Sequence, residues 1–179
     1  MTAIAAPLQY ALFTLALIAA IWDVATRRIP NPLVLAGFLA GIALQLWCNG
    51  LPGLKAAALG FGVGFLVFFP IFLLQGKGGG DVKLLAAIGT ITGPANVFVI
   101  FVLTAVFGGV MAVVLLLVKG GLPQALRNVG HILGSLFKYE APHKAHPELS
   151  IDHPDSVKLP YAVPIALGCF VFLMLTSNL

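Results

Sequence analysis

Two aspartates stand out in this sequence because acidic residues are otherwise missing from most of it. Asp23 and Asp81 are the only acidic residues among the first 139 positions. Each lies where a long apolar segment meets a short basic one, and an ionisable side chain at the edge of an apolar span is costly and usually functional. Two adjacent carboxyl groups share one proton, so that one acts as an acid and the other as a base. Such a pair can activate water without a metal or a cofactor.

The neighbours of the two aspartates differ. Asp81 follows the glycine run 78–80, and glycine adopts backbone conformations that are closed to other residues. Asp81 is therefore either the N-cap of a short helix or a reacting group that can move. Asp23 ends an apolar segment, where a carboxylate opposes the helix dipole. An ordinary surface pair with Arg27 or Arg28 is the alternative interpretation of Asp23.

The composition predicts that both aspartates belong to an integral membrane protein. Of the 179 residues, 60% are hydrophobic and 9% are charged, whereas about a quarter of a soluble domain is charged. A folded protein of this size cannot bury this much apolar surface away from water. No secretory signal peptide is evident, so we interpret the first apolar segment as a retained span. We expect one membrane domain over residues 1–179, with no nucleic-acid partner.

Hydropathy predicts an all-α bundle of six transmembrane helices. About 20 apolar residues are needed to cross the hydrocarbon layer, and five segments approach this length while a sixth is shorter. The predicted spans are residues 3–22, 32–48, 56–74, 82–93, 95–118 and 159–176. Small residues four apart predict close helix packing, and they occur at Ala36/Ala40, Gly37/Gly41 and Gly60/Gly64.

The basic residues predict the orientation of these spans. With six crossings, nine of the ten basic residues fall on one side, and only Lys55 falls on the other. Because basic residues are enriched in cytoplasmic segments, we expect both termini outside and both aspartates at the cytoplasmic face. The nine residues are Arg27, Arg28, Lys77, Lys83, Lys119, Arg127, Lys138, Lys144 and Lys158.

The segment 119–158 is predicted to be a cytoplasmic loop. Its part 122–138 has helical periodicity with a basic face, which predicts an interfacial helix on the inner leaflet. The rest contains His143, His146 and His153, whose spacing raises the alternative of a metal site. Three prolines interrupt any helix there, so we expect a solvated loop and no metal.

The residues around both aspartates resemble the motifs of a known family, the type IV prepilin peptidases. The segment from Gly76 to Gly89 is similar to the family's GxGD segment, and 159–164 is similar to its last-span motif. Asp23 with the following Arg and Ile-Pro-Asn resembles the motif of the family's first aspartate. The residues that carry the resemblance at the two aspartates include Asp23, Arg28, Pro30, Asn31, Gly78, Gly80, Asp81 and Lys83.

The resemblance implies an aspartic endopeptidase in a prokaryotic inner membrane. Such an enzyme removes the short basic leader of a prepilin-like or preflagellin-like membrane protein at the cytoplasmic face, so the implied partners are this substrate and the bilayer. By this resemblance, Asp23 and Asp81 are expected to be the catalytic pair. The resemblance also implies that six further residues shape the site: Gly78, Gly80, Lys83, Arg28, Pro30 and Asn31.

One departure from the larger family members narrows this expectation. Those members carry an N-terminal extension with paired CxxC motifs, and they also methylate the new N-terminus of the substrate that they have cleaved. No CxxC motif occurs in this sequence. The chain resembles the short, peptidase-only branch associated with Flp/Tad pilus assembly or archaeal preflagellin processing. Methyl transfer and cofactors are therefore not expected, and the oligomeric state is left open.

Two other functions remain as alternatives. A small proton-coupled transporter could use Asp23 and Asp81 as a relay, although such sites usually lie near the midplane between repeated halves. A presenilin-like protease that cuts within the bilayer is the second alternative. The position of the aspartates at the membrane edge favours cleavage at the interface instead.

Overall fold

In the computed structural model of the protein, which describes residues 4–75, 79–119 and 160–177, all regular structure is helical. The helices are α1 (Ala6–Thr26), α2 (Asn31–Gln75), α3 (Gly80–Thr92), α4 (Pro94–Lys119) and α5 (Ala162–Ser177). The expected all-α class is confirmed for these residues. The predicted interfacial helix at 122–138 and the histidines of the 119–158 loop lie outside the described residues.

Several helices have the length and composition of membrane spans. Ala6–Thr26, Asn31–Pro70 and Pro94–Val118 are each long and apolar enough to cross a bilayer, and Ala162–Thr176 is a shorter apolar helix. Many large apolar side chains on these helices are exposed on the surface of the protein. Exposed apolar surface of this extent fits a lipid environment, so the expected membrane protein is confirmed. The number of crossings stays a prediction.

Helix α2 is a hairpin of two helical arms. At Gly50 the backbone has φ 60° and ψ −147°, a conformation that is essentially restricted to glycine. The rings of Phe38 and Phe61, one on each side of this break, lie 5.3 Å apart. The chain therefore folds back on itself at Gly50, and the two arms correspond to the predicted spans 32–48 and 56–74.

Helix α3 forms the centre of the bundle, and its residues 84–92 are all buried. It packs against both arms of α2 through small residues, because a Cβ atom on Gly60 would collide with the carbonyl oxygen of Gly89. Similarly, a Cβ atom on Gly41 would collide with the Thr90 hydroxyl. The glycine pairs thus mark close packing as predicted, whereas Ala36 and Ala40 are exposed on the outer surface.

The far end of α3 is fixed by a buried glutamine. The helix ends at Gly93, where φ is 80°. The Nε2 of Gln45, on the first arm of α2, donates a hydrogen bond of 2.8 Å to the carbonyl oxygen of Ile91. Because this contact and the glycine packing hold the body of α3, only its first turn, which carries Asp81, is less enclosed.

Candidate active site

Asp23 lies in the last turn of α1, and its side chain is only 6% exposed. Its Oδ2 accepts a hydrogen bond of 3.0 Å from the backbone N–H of Ala162, the first residue of α5. The first amides of a helix have no partner within the helix, and the N-terminal end carries partial positive charge. The N-terminus of α5 therefore compensates the carboxylate for its unfavourable position at the end of α1.

The chain turns sharply just after Asp23. Arg27 adopts a left-handed conformation with φ 55°, and its N–H donates a hydrogen bond of 2.8 Å to the backbone carbonyl of Asp23. The carbonyl oxygen of Pro30 then accepts N–H groups from the first turn of α2. These contacts end α1 and start α2 within a few residues, so Asp23 lies beside a defined turn at 27–30.

Asp81 is the second residue of α3, and the N-cap is Gly79, which makes no side-chain capping hydrogen bond. The interpretation of Asp81 as a helix cap is therefore wrong, since the helix begins one residue earlier. Burial, together with the negative charge of Asp23, raises the pKa of Asp81, which lies just before the predicted span 82–93. Asp81 therefore keeps its proton to a higher pH than an ordinary aspartate does.

The two aspartates come from helices far apart in sequence and interact electrostatically. Within the described part of the chain, no hydrogen bond joins the two carboxyl groups. Asp23 accepts a hydrogen bond from the α5 amide, whereas the described residues make no hydrogen bond to the Asp81 side chain. That Asp81 is the mobile member of the pair stays a prediction.

One hydrogen bond joins the start of α2 to the first turn of α3. The Nζ of Lys83 donates it to Oδ1 of Asn31 over 3.3 Å, and we call this hydrogen bond the clasp. Gly80 also lies near Ile29, since a Cβ atom added to Gly80 would be 3.5 Å from the Cβ of Ile29. Because Asp81 lies between Gly80 and Lys83, the first turn of α3, which carries Asp81, lies against the segment that follows Asp23.

The remaining sequence-predicted residues fall around this site. Arg28 is exposed and Pro30 is half-buried in the turn just before Asn31, whereas Gly78 lies outside the described residues. In the described ranges, no group of three or more His, Cys, Asp and Glu side chains is arranged to hold a metal.

Sequence reasoning did not identify Ala162 and Tyr161 as part of the site. Ala162 contributes only a backbone amide, and the Tyr161 phenol interacts electrostatically with Asp81. The sequence did contain a signal for this contact, since Pro160 and Pro164 mark the start of the helix α5. The free amides of a helix start need acceptors, and Asp23 is one of only two acids among the first 139 residues.

Comparison with known families matches the part of the chain that contains both aspartates. The model of the type IV leader peptidase family matches residues 10–113, which is more than half of the 179 residues. The chain belongs to the type IV leader peptidase family. The resemblance of the aspartate motifs to prepilin peptidases is thereby confirmed. No curated protein and no solved structure shows a significant match.

Membership in the type IV leader peptidase family makes this protein a peptidase of the membrane. The matched range includes most of α1 and all of α2 and α3, and thus Asp23, Asp81 and the clasp. Helix α5 lies beyond that range, yet it supplies the amide that binds Asp23. The structure therefore shows how the start of α5, within the segment that resembles the last-span motif, meets the first aspartate.

Proposed function

We propose that this leader peptidase is an aspartic endopeptidase that uses Asp23 and Asp81. It removes the short basic leader from a prepilin-like or preflagellin-like protein at the cytoplasmic face of a prokaryotic inner membrane. The observation that carries the proposal is the convergence of a buried, amide-bound carboxylate and a second carboxyl group with a raised pKa. No methyl transfer is proposed.

The proposed membrane arrangement has six crossings. The two arms of α2 would cross separately, and α1, α3, α4 and α5 would each cross once, which places both termini outside. The asymmetry of basic residues supports this arrangement, since nine of ten then lie in the cytoplasm. Both aspartates would lie at the edge of the bilayer, where water and a leader peptide can reach them.

The proposed reaction begins with the charged Asp23 and the protonated Asp81. Asp23 takes a proton from water as the water oxygen bonds to the scissile carbonyl carbon, and Asp81 gives its proton to the carbonyl oxygen that receives the electron pair. When the carbonyl re-forms, the C–N bond breaks. The leaving nitrogen then takes the proton from Asp23, and Asp81 regains one from the hydroxyl group that becomes the new carbonyl. The products are a carboxyl group and an amine, and the dyad is restored.

The pH dependence of cleavage follows from Asp81. Its pKa is raised, so the required proton stays bound at pH values where an ordinary aspartate, with a pKa of about 3.9, is fully charged. Activity should persist well above that value and fall as the pH rises through the raised pKa of Asp81. The measurement is kcat/KM across pH with a purified leader substrate, with folding monitored in parallel. A rate that climbs continuously into the alkaline range would contradict the assignment of the proton to Asp81.

The clasp gives a prediction with a matched control. Lys83→Met removes the hydrogen bond to Asn31 while keeping most of the apolar stem, so Asp81 is less well positioned and kcat should fall about 10- to 100-fold. Lys83→Arg can still donate to Asn31 and should restore most of this loss. The control is Lys55→Met, which removes another exposed lysine, at the other end of the bundle. Equal kcat values for the Lys83→Met and Lys55→Met variants would show that the clasp has no positioning role.

The proposed specificity is tested with a co-expressed reporter that carries a basic leader followed by an apolar helix. Mass spectrometry of the reporter should show one cut, at the boundary between leader and helix. The cut should not occur when the peptidase is not co-expressed. The transporter alternative predicts proton uptake by liposomes containing the protein, with no cleavage. That outcome would replace the proposal.

A further inference from the structure

Tyr161 lies beside both aspartates but takes no part in the reaction described so far. It directly precedes Ala162, whose N–H binds Asp23, so its backbone is fixed next to the buried carboxylate. Its phenol is also near enough to Asp81 for the charge of that carboxyl group to act on it. Tyr161 therefore lies in the same part of the molecule as both carboxyl groups.

The phenol of Tyr161 lies against α4 and is also accessible. Its ring faces Gly108 of α4, since a Cβ atom added to that glycine would lie 3.8 Å from Cε1 of the tyrosine. The side chain is nevertheless 39% exposed. Among the described residues the Tyr161 hydroxyl makes no hydrogen bond. A positioned donor without a partner at the mouth of a site is available to a bound substrate.

The proposed reaction creates a need for such a donor. Negative charge develops on the scissile carbonyl oxygen as water adds, and enzymes stabilise this charge with hydrogen-bond donors that are positioned in advance. Asp81 supplies one donor only while it keeps its proton. A phenol stays protonated throughout the neutral range, so a tyrosine can donate to the oxygen at every stage.

We propose that Tyr161 is a third catalytic residue, whose hydroxyl donates a hydrogen bond to the scissile carbonyl oxygen of the substrate. This inference rests on the proposed peptidase function and deepens it. No proton leaves the phenol, so the balance of the reaction between Asp23, Asp81 and water is unchanged. The position of Tyr161 at the start of α5 also means that one helix end orients Asp23 and stabilises the substrate oxygen.

The test is the variant Tyr161→Phe, which removes the hydroxyl and keeps the ring that faces Gly108. Loss of one such donor typically lowers kcat about 100- to 1,000-fold, and we expect this loss with KM within about threefold of the wild-type value. The midpoint of thermal unfolding should not change. The matched control is Tyr10→Phe, because Tyr10 is an exposed tyrosine on α1, and it should behave as wild type.

Three results would overturn the role of Tyr161. They are a kcat within about threefold of the wild-type value, a loss confined to KM, and a lowered unfolding midpoint that accounts for the lost activity. Asp23→Asn and Asp81→Asn are measured alongside to separate this inference from the proposed function. If both aspartate variants are inactive and Tyr161→Phe is normal, only the role of Tyr161 fails. If the aspartate variants cleave, the peptidase mechanism fails first.

Discussion

Replacing Asp23 or Asp81 with asparagine is expected to lower the rate of leader cleavage at least about 1,000-fold, because each carboxyl group performs a proton transfer that an amide cannot perform. Asparagine keeps the size of the side chain, so the packing of α1 and α3 should survive. The Ala162 amide can still donate to the side-chain oxygen of an asparagine at position 23. The measurement is single-turnover cleavage of a leader substrate by purified variants in lipid.

The control for these variants is the same substitution at an acid outside the site. Asp155→Asn, in the predicted cytoplasmic loop, removes one charge and should leave the cleavage rate within about twofold of the wild-type rate. Substrate binding by Asp23→Asn and Asp81→Asn should be retained. Normal cleavage by either variant, when it is correctly folded, would contradict the dyad mechanism.

Gly60→Ala is expected to destabilise the fold strongly, because its Cβ atom would collide with the backbone oxygen of Gly89. A rigid carbonyl of a buried helix cannot move aside as a flexible side chain can, so α2 and α3 would have to separate. Overpacking of this kind costs about 1 to 3 kcal/mol. Since α3 carries Asp81, cleavage should fall together with stability.

The comparison for Gly60→Ala is Gly62→Ala on the same helical arm. No heavy atom lies within 4 Å of a Cβ atom built on Gly62, and replacing glycine by alanine in a helix gains about 1 kcal/mol. Gly62→Ala should therefore be neutral or stabilising, which thermal unfolding in detergent measures. Equal unfolding midpoints for the two variants would show that the Gly60–Gly89 contact does not limit the packing of α2 against α3.

The positions of the helices followed from the sequence because apolar length and small-residue spacing are local signals. The break between the two arms of α2 lies at Gly50, within the predicted gap between residues 48 and 56. The glycines at 37, 41, 60 and 64 contact neighbouring helices as their spacing indicates. Signals of this type need no knowledge of which helices become neighbours.

The finer structure of the site depends on tertiary contacts that leave little trace in a sequence. The amide of Ala162 binds Asp23 across 139 residues, and a backbone donor has no side-chain signature. The hydrogen bond between Lys83 and Asn31 spans 52 residues. The sequence could therefore indicate that each residue lies near the site, but not that the two bond to each other. Asp81 was open to interpretation as a helix cap because the start of α3 depends on the backbone of the glycines before it.

The most direct test of the central claim, that Asp23 and Asp81 act as one unit, is a comparison of single and double substitutions. Single-turnover rates are measured for Asp23→Asn, Asp81→Asn and the combined variant with the same leader substrate. Residues that act as a unit have non-additive effects, so the double variant should be no slower than the slower single variant. Losses that multiply in the double variant, or a wild-type rate in either single variant, would contradict the account.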